Sequence, residues 1–280
     1  MHIDGTRTLA LARLDLGEVL RSRWLIFCLG LYAVLAVLFL LVGLRESTVL
    51  GFTGLGRVLL SMSHALVLLL PLLALSATAQ VINRAQDDGT LELLFSHPIT
   101  RAEYFLGVTA VRFGVLLVPF IALMVLVTLI GWIGLGSAVA WGFLGRSLLV
   151  CSSLIWAYTG CGLAVSTFVR NQAKAVMILL GIWVVSVALL DFLLIGVMLQ
   201  WRLNPQTIFL LAALNPVEAS RLALLSSAEQ SLSVLGPVGF YLAHRLGAGS
   251  LLLLGVLWPT VLGALSWGLA LRRFSRQDLT

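Results

Sequence analysis

Long apolar runs interrupted by short polar clusters set the rhythm of this chain. Six windows stay apolar for about the 20 residues that a helix needs to cross hydrocarbon. They are Trp24–Leu44, Val58–Ile82, Phe105–Gly131, Ser147–Val169, Ala175–Leu199 and Ser250–Leu271. Backbone groups in hydrocarbon must be satisfied within their own segment, so these windows predict helices. The strand-like alternation of a barrel is absent from them. Ahead of the first window, "TRTLALARLDLGEVLRSRW" sets Leu9, Ala12, Leu16, Val19 and Leu20 near helical spacing, with Arg13, Asp15 and Arg21 largely elsewhere on the wheel. That pattern predicts an amphipathic helix lying in the membrane interface, a simple anchor or an elbow into the first span, with Trp24 at headgroup level.

Composition turns this pattern into a fold class. The 280 residues are 60% hydrophobic and only 11% charged, with a mean hydropathy of +1.06, where a soluble domain carries about 25% charge. The expectation is an all-α polytopic membrane protein of six spans. Residues 1–23 form its N-terminal interfacial segment and 24–280 its membrane domain. Within that domain, 83–104 is a polar connection on one side and 200–249 a long connection on the other. Six spans place both termini on one face. That face holds Arg7, Arg13, Arg21, Arg23, Arg84, Arg101, Arg112, Arg170, Lys174, Arg272, Arg273 and Arg276, against Arg45, Arg57, Arg146, Arg202, Arg221 and Arg245 opposite. The richer face is the cytoplasmic one. Topology and anionic lipid account for the net charge of +6 without calling for nucleic acid. The N-terminus lacks the pattern of a cleavable signal.

Enzyme chemistry finds little footing. A G-x-x-x-x-G-K-[ST] loop is missing, and Lys174 is the single lysine, so a P-loop nucleotide site is excluded. Cys28, Cys151 and Cys161 all fall inside spans, without metal-ligand spacing. His64 lies in the second span and His97 in the polar connection, so they share no site. Ser61 and Ser63 flank Met62 near His64 with no acid beside them, and hydroxyls there can bond back to their own helix. Met62 and His64 read as packing. In the fourth span, Ser153, Ala157 and Cys161 follow at intervals of four, with Gly160 and Ala164 beside them, a small-residue face for close helix packing. Asp191 is an acid about 12 Å from the outer end of the fifth span, a candidate pathway or gate residue or a partner for an outer arginine such as Arg202. The long outer connection contains two helix starts. Asn204 caps Pro205, and Asn215 caps Pro216 with Glu218 three residues on and Arg221 in the second turn. Two short helices are expected there, docked on the membrane surface or on a periplasmic partner; the alternative is a re-entrant or surface-lying segment with no partner.

The connection "NRAQDDGTLELLFSHPITRAEYFLG" carries four of the twelve acids, Asp87, Asp88, Glu92 and Glu103. Asp87 or Asp88 is expected to cap a short helix opening at Gly89 and Thr90. Glu92 lies in its first turn, Leu91, Leu93, Leu94 and Phe95 form its apolar face, and Pro98 ends it. Thr100 and Glu103 form a capping box for the helix into the third span. A short helix held between two spans suits a lever pushed by a soluble partner.

This stretch, with its acidic–Gly–Thr–Leu–Glu core and Pro98 four residues after Leu94, resembles the cytoplasmic coupling segment of ABC-2 type permeases. One departure is Val108, where the family often has a basic residue after Gly107; Arg112 stands one turn later. "RSRW", "GFTGLGR" and "LNPVE" with Arg221 are similar to permeases of the nitrous-oxide-reductase maturation transporter. The resemblance implies the type V exporter arrangement, in which an elbow helix and a coupling helix accompany six spans. It implies a homodimer in the bacterial inner membrane with two copies of a cytoplasmic ABC ATPase, which would hold the ATP and magnesium; this chain binds no cofactor. It implies a periplasmic copper-handling partner as well. Export of lipid or drug-like molecules, or force transmission without cargo, are the rival expectations.

Overall fold

A computed structural model describes residues 5–50, 54–135, 141–190, 192–193, 196, 205–228 and 247–276. Every regular element among them is helical: α1 (Gly5–Leu20), α2 (Arg23–Leu50), α3 (Gly54–Thr78), α4 (Val81–Asp87), α5 (Thr90–Phe95), α6 (Arg101–Leu135), α7 (Trp141–Phe168), α8 (Gln172–Val184), α9 (Pro205–Leu214), α10 (Pro216–Ala228) and α11 (Gly247–Arg276). A π-turn, Val185–Leu189, extends α8. Six segments are long and apolar enough to cross a membrane: Arg23–Leu41, Val58–Asp87, Arg101–Ile133, Trp141–Phe168, Gln172–Leu189 and Gly247–Arg276. They answer the six apolar windows one for one. The bent pair Gln206–Leu214 and Pro216–Ser227, turned by 116°, makes a seventh crossing if counted together.

The bundle closes around α7, which packs on α3, α10 and α11. Lipid offers no hydrophobic gain for joining two helices, so close approach of small residues does that work. A Cβ on Gly160 would meet the carbonyl oxygen of Gly263. One on Gly162 would meet Thr78, and one on Gly255 would meet Ala223 and, at 2.8 Å, the oxygen of Ala219. Ser153 Oγ adds a hydrogen bond to the Gly255 carbonyl at 3.3 Å. The small-residue face of the fourth window is therefore the seam between α7 and α11. Pro71, Pro119 and Pro259 lie inside helices without ending them, as bundle packing permits. Buried hydroxyls return to their own backbone, as Ser63 to Leu59 and Thr128 to Met124, both at 2.7 Å.

Three features depart from the pattern-based expectation. The second span reaches past Ile82 to Asp87, but with an interruption at Ala79 and Gln80, where α3 stops at Thr78 and α4 starts afresh at Val81. The elbow helix turns Leu11 and Val19 inward, while Leu9, Leu16 and Leu20 remain exposed at 55%, 38% and 59%. Those leucines form its outer side, and Asp15, expected away from the buried face, lies against the bundle. The third concerns the long connection: α10 is no surface helix, since Val217, Ala219, Ser220, Ala223 and Leu224 are fully buried, and the bent pair it forms with α9 fits the re-entrant alternative or a broken span.

Candidate functional site

The polar connection folds into two short helices and a turn. At the break before α4, the backbone N–H of Ile82 donates to Ser166 Oγ at 2.8 Å, tying the connection to α7. Between α4 and α5 the chain reverses at Gly89, with φ 69° and ψ 7°. Glycine is the residue that adopts this left-handed conformation without cost. Gly89 itself stands at the N-cap of α5, with no side-chain cap, so neither aspartate caps that helix. Asp87 closes α4 and accepts a hydrogen bond from Gln172 Nε2 at 2.7 Å, across to the start of α8. Asp88 pairs with Arg84 at 3.5 Å, both exposed. The acids serve the α4 end and its neighbours instead.

Along α5, Thr90 starts the helix and Leu91 is buried to 1% exposure, while Glu92 is exposed in the first turn. Leu94 and Phe95 pack inward, but Leu93 is 71% exposed, so it does not belong to the apolar face assigned to it. The outer side of α5 thus presents an acid next to a bare leucine. Past Pro98 the expected capping box is formed: the Thr100 N–H donates to Glu103 Oε2 at 2.8 Å, and the Glu103 N–H donates to Thr100 Oγ1 at 3.3 Å. α6 then runs straight into the membrane.

Beneath α5 lies a second core, separate from the main one. Leu11 of α1, Ile82 of α4, Leu91, Tyr104 and Phe105 of α6, Leu163 of α7 and Phe274 of α11 form it. Its rings connect in sequence. Phe95 meets Tyr104 at 6.1 Å and Phe274 at 6.4 Å, Phe274 meets Phe105 at 5.7 Å, and Phe105 meets Trp267 at 5.8 Å. Trp156 and Phe113 carry the series deeper at 6.4 and 5.7 Å. Arg101 donates to the carbonyl of Ser275 at 3.1 Å at the end of α11, where the helix dipole favours a cation. Arg273 stacks over Phe168 at 5.8 Å, joining the same end to α7.

The elbow is strapped to this unit at three points. Arg7 Nη1 donates to the Pro98 carbonyl at 2.6 Å. Gly107 lies under α1, where an added Cβ would stand 3.2 Å from the Thr8 oxygen. Arg112 Nη2 meets Asp15 Oδ1 at 2.7 Å. Arg112 thus supplies the anchoring cation one turn beyond Val108. Burial pushes the Asp15 carboxyl above its ordinary range, and Arg112 only partly offsets this. Sequence reasoning missed Gly107, Gln172 and Phe274. Gly107 closes the family motif and was a usable signal; the other two lie far from the polar connection along the chain.

The outer candidates fall elsewhere. Asn215 does cap α10: its Oδ1 accepts from the Val217 N–H at 3.0 Å. Its Nδ2 donates at 2.6 Å to the Ser186 carbonyl, within the π-turn, where the altered hydrogen-bond ladder leaves acceptors for other partners. Asn215 is 2% exposed. Pro216 opens the helix, and Glu218 pairs with Arg221 along it, both largely covered. The corner joins this chain's own helices, and Trp258 Nε1 donates to the Leu214 carbonyl beside it at 3.1 Å. The exposed side of the pair belongs to α9, through Leu210 at 56% and Leu214 at 66%. Asp191 lies outside the described residues. Among those residues, no three His, Cys, Asp or Glu side chains gather as metal ligands. Cys28, Cys151 and Cys161 are free thiols, and Met62 is fully buried in the main core.

Comparison with known proteins places this geometry in context. The family model for the ABC-2 family transporter protein matches residues 9–279. The chain is 30% identical over 260 residues to a probable ABC transporter permease protein NosY of Stutzerimonas stutzeri, covering 90% of this chain and 91% of the relative. It is 30% identical over 278 residues to the protein of the same description from Pseudomonas aeruginosa, covering 94% and 97%.

Proposed function

We propose a role that starts from one fact: the chain belongs to the ABC-2 family of transporter permeases. Its α4–α5 unit is the lever through which a separate cytoplasmic ABC ATPase drives the membrane domain. The supporting observation is the two-sided character of α5. Its outer side offers Glu92 and Leu93 to a partner, while its inner side plants Leu91 in a core shared by α1, α4, α6, α7 and α11. Packed cores move as units, so a push on α5 reaches α11 through Phe274 and α8 through the Asp87–Gln172 bond. Two copies of this chain and two ATPases make the working assembly, and ATP and magnesium belong to the ATPase. The arginine-rich end carrying the lever and both termini faces the cytoplasm of a bacterium whose inner membrane holds the complex.

Similarity along nearly the whole chain to probable NosY permeases supports a task in maturation of nitrous oxide reductase, alongside a periplasmic copper-handling partner. The partner's contact lies on the exposed outer side of α9, since Asn215, Glu218 and Arg221 are engaged within the chain. The test is co-purification with the ATPase encoded alongside. Glu92→Lys reverses an exposed charge at the lever and should lose most of the ATPase at matched salt while the permease stays monodisperse. Retention equal to that of the unmodified protein contradicts the lever assignment.

A further inference from the structure

A cavity of about 470 Å³ separates the elbow from the lever. Its position relative to the membrane is marked by Trp24, whose Nε1 donates to Ser76 Oγ at 3.2 Å on the cavity wall. Tryptophan settles where hydrocarbon gives way to headgroups, so the cavity opens at headgroup level. Leu11, Leu14 and Val19 of α1 give it an apolar side.

Charge on the wall does not cancel. Asp15, Glu18 and Asp88 stand against Arg84 and Arg112. Arg112 is matched with Asp15 and Arg84 with Asp88. Glu18 makes no ion pair among the described residues and remains exposed. Asp15 and Arg112 are largely sealed by their own pairing, in side chains only 11% and 16% exposed. The exposed charges on the wall are Glu18, Asp88 and Arg84, so a ligand carrying both a donor and an acceptor suits it. The volume lies within the range of small-molecule sites, about 300–1,000 Å³.

We propose that this cavity binds the headgroup of an amine-bearing zwitterionic phospholipid, with its ammonium at Glu18 and its phosphate toward the exposed Arg84. A headgroup with net negative charge would meet a wall of the same sign. A choline headgroup has no N–H to give a carboxylate. A primary ammonium has three, and its phosphate gives Arg84 an acceptor. The bound lipid spans elbow and lever and sets their spacing. The assignment rests on the cavity and not on the identity of any ATPase.

The test is native mass spectrometry of the full-length permease released from micelles containing equal amounts of phosphatidylethanolamine, phosphatidylcholine and phosphatidylglycerol. Retention of phosphatidylethanolamine should exceed that of either other lipid by about fivefold, the scale of a partly exposed ion pair. Glu18→Lys should abolish the preference and Glu18→Asp should keep it. Glu18→Gln takes the place of the lysine variant if size exclusion shows that one to be aggregated, and should also lose most of the preference. Equal retention of the three lipids overturns the proposal, as does an unchanged preference in Glu18→Lys or, where it substitutes, Glu18→Gln. Displacement of the bound lipid by millimolar soluble phosphoethanolamine overturns the lipid assignment in favour of the free phosphoester.

Discussion

The α4–α5 region, proposed as the lever, and the α9–α10 corner start from similar sequence signals and end in opposite situations. Each holds a polar helix start inside an apolar chain, Thr100 with Glu103 at one end and Asn215 with Pro216 at the other. At the lever, the capping box opens a membrane helix and leaves α5 half exposed beside it. At the corner, the cap directs α10 into the bundle, where Asn215 bonds to the Ser186 carbonyl. A capping motif fixes where a helix begins; neighbouring side-chain size decides which way it faces. α10 carries Ala219 and Ala223, matched to Gly255 on α11. α5 carries Leu91, Leu94 and Phe95, matched to an aromatic core.

The largest effect that would break this contrast is expected at Gly255. Gly255→Leu drives a side chain into Ala219 and Ala223 and should cost about 3 kcal/mol or more by overpacking. Thermal unfolding of the purified protein in detergent should show a large drop in midpoint. A drop no greater than that of an exposed-site control would mean that α10 does not seat on α11.

The elbow strap sharpens the picture at the lever end. Arg112→Ala leaves Asp15 charged and covered, and should cost about 2 kcal/mol, a discounted share of the penalty for a broken buried pair. Asp15→Asn strands the covered Arg112 guanidinium instead, a charge that cannot be titrated away, and should cost about as much. The sign with pH follows: a carboxyl raised above its unfolded value favours the fold most when protonated, and that contribution is lost as pH rises through the folded value. The Arg112→Ala midpoint should therefore rise relative to that of Asp15→Asn as pH falls, because Asp15 can take up a proton and Arg112 cannot lose one. Midpoints of both variants equal to that of the unmodified protein near neutrality would remove the ion pair from the account.

A smaller effect belongs to the capping box. Thr100→Ala should cost about 1 kcal/mol and loosen the entry to α6 without displacing α5. Hydrogen exchange should rise at Glu103, whose N–H loses the Thr100 acceptor. Unchanged exchange there would show that Glu103 alone holds the helix start.

Much of this was legible from sequence because its causes are local. Hydrocarbon thickness and backbone satisfaction dictated the six spans, and spacing dictated the Thr100–Glu103 box. The small-residue face of α7 announced a tight helix contact, though not that its partner would be α11. What escaped was set by distant contacts. Leu11 turns inward where Gly107 admits the elbow backbone, leaving Leu9, Leu16 and Leu20 exposed. Asp87 and Asp88 looked like helix caps, yet the positive φ of Gly89 places glycine at that position, and the acids find Gln172 and Arg84. The break at Thr78 depends on close approach to Gly162 and on Ser166, both on α7 and far along the chain.

The central claim is that α1 and α5 move together when the ATPase acts. Spin labels at the exposed positions Leu14 and Leu93, in one protomer of the reconstituted complex, report the distance within the unit. Labels at Leu93 and Leu210 report its motion against the outer corner. The account predicts a Leu14–Leu93 distance that stays fixed between nucleotide-free and ATP-bound states while the Leu93–Leu210 distance changes. A Leu14–Leu93 distance that changes as much as the other would contradict it.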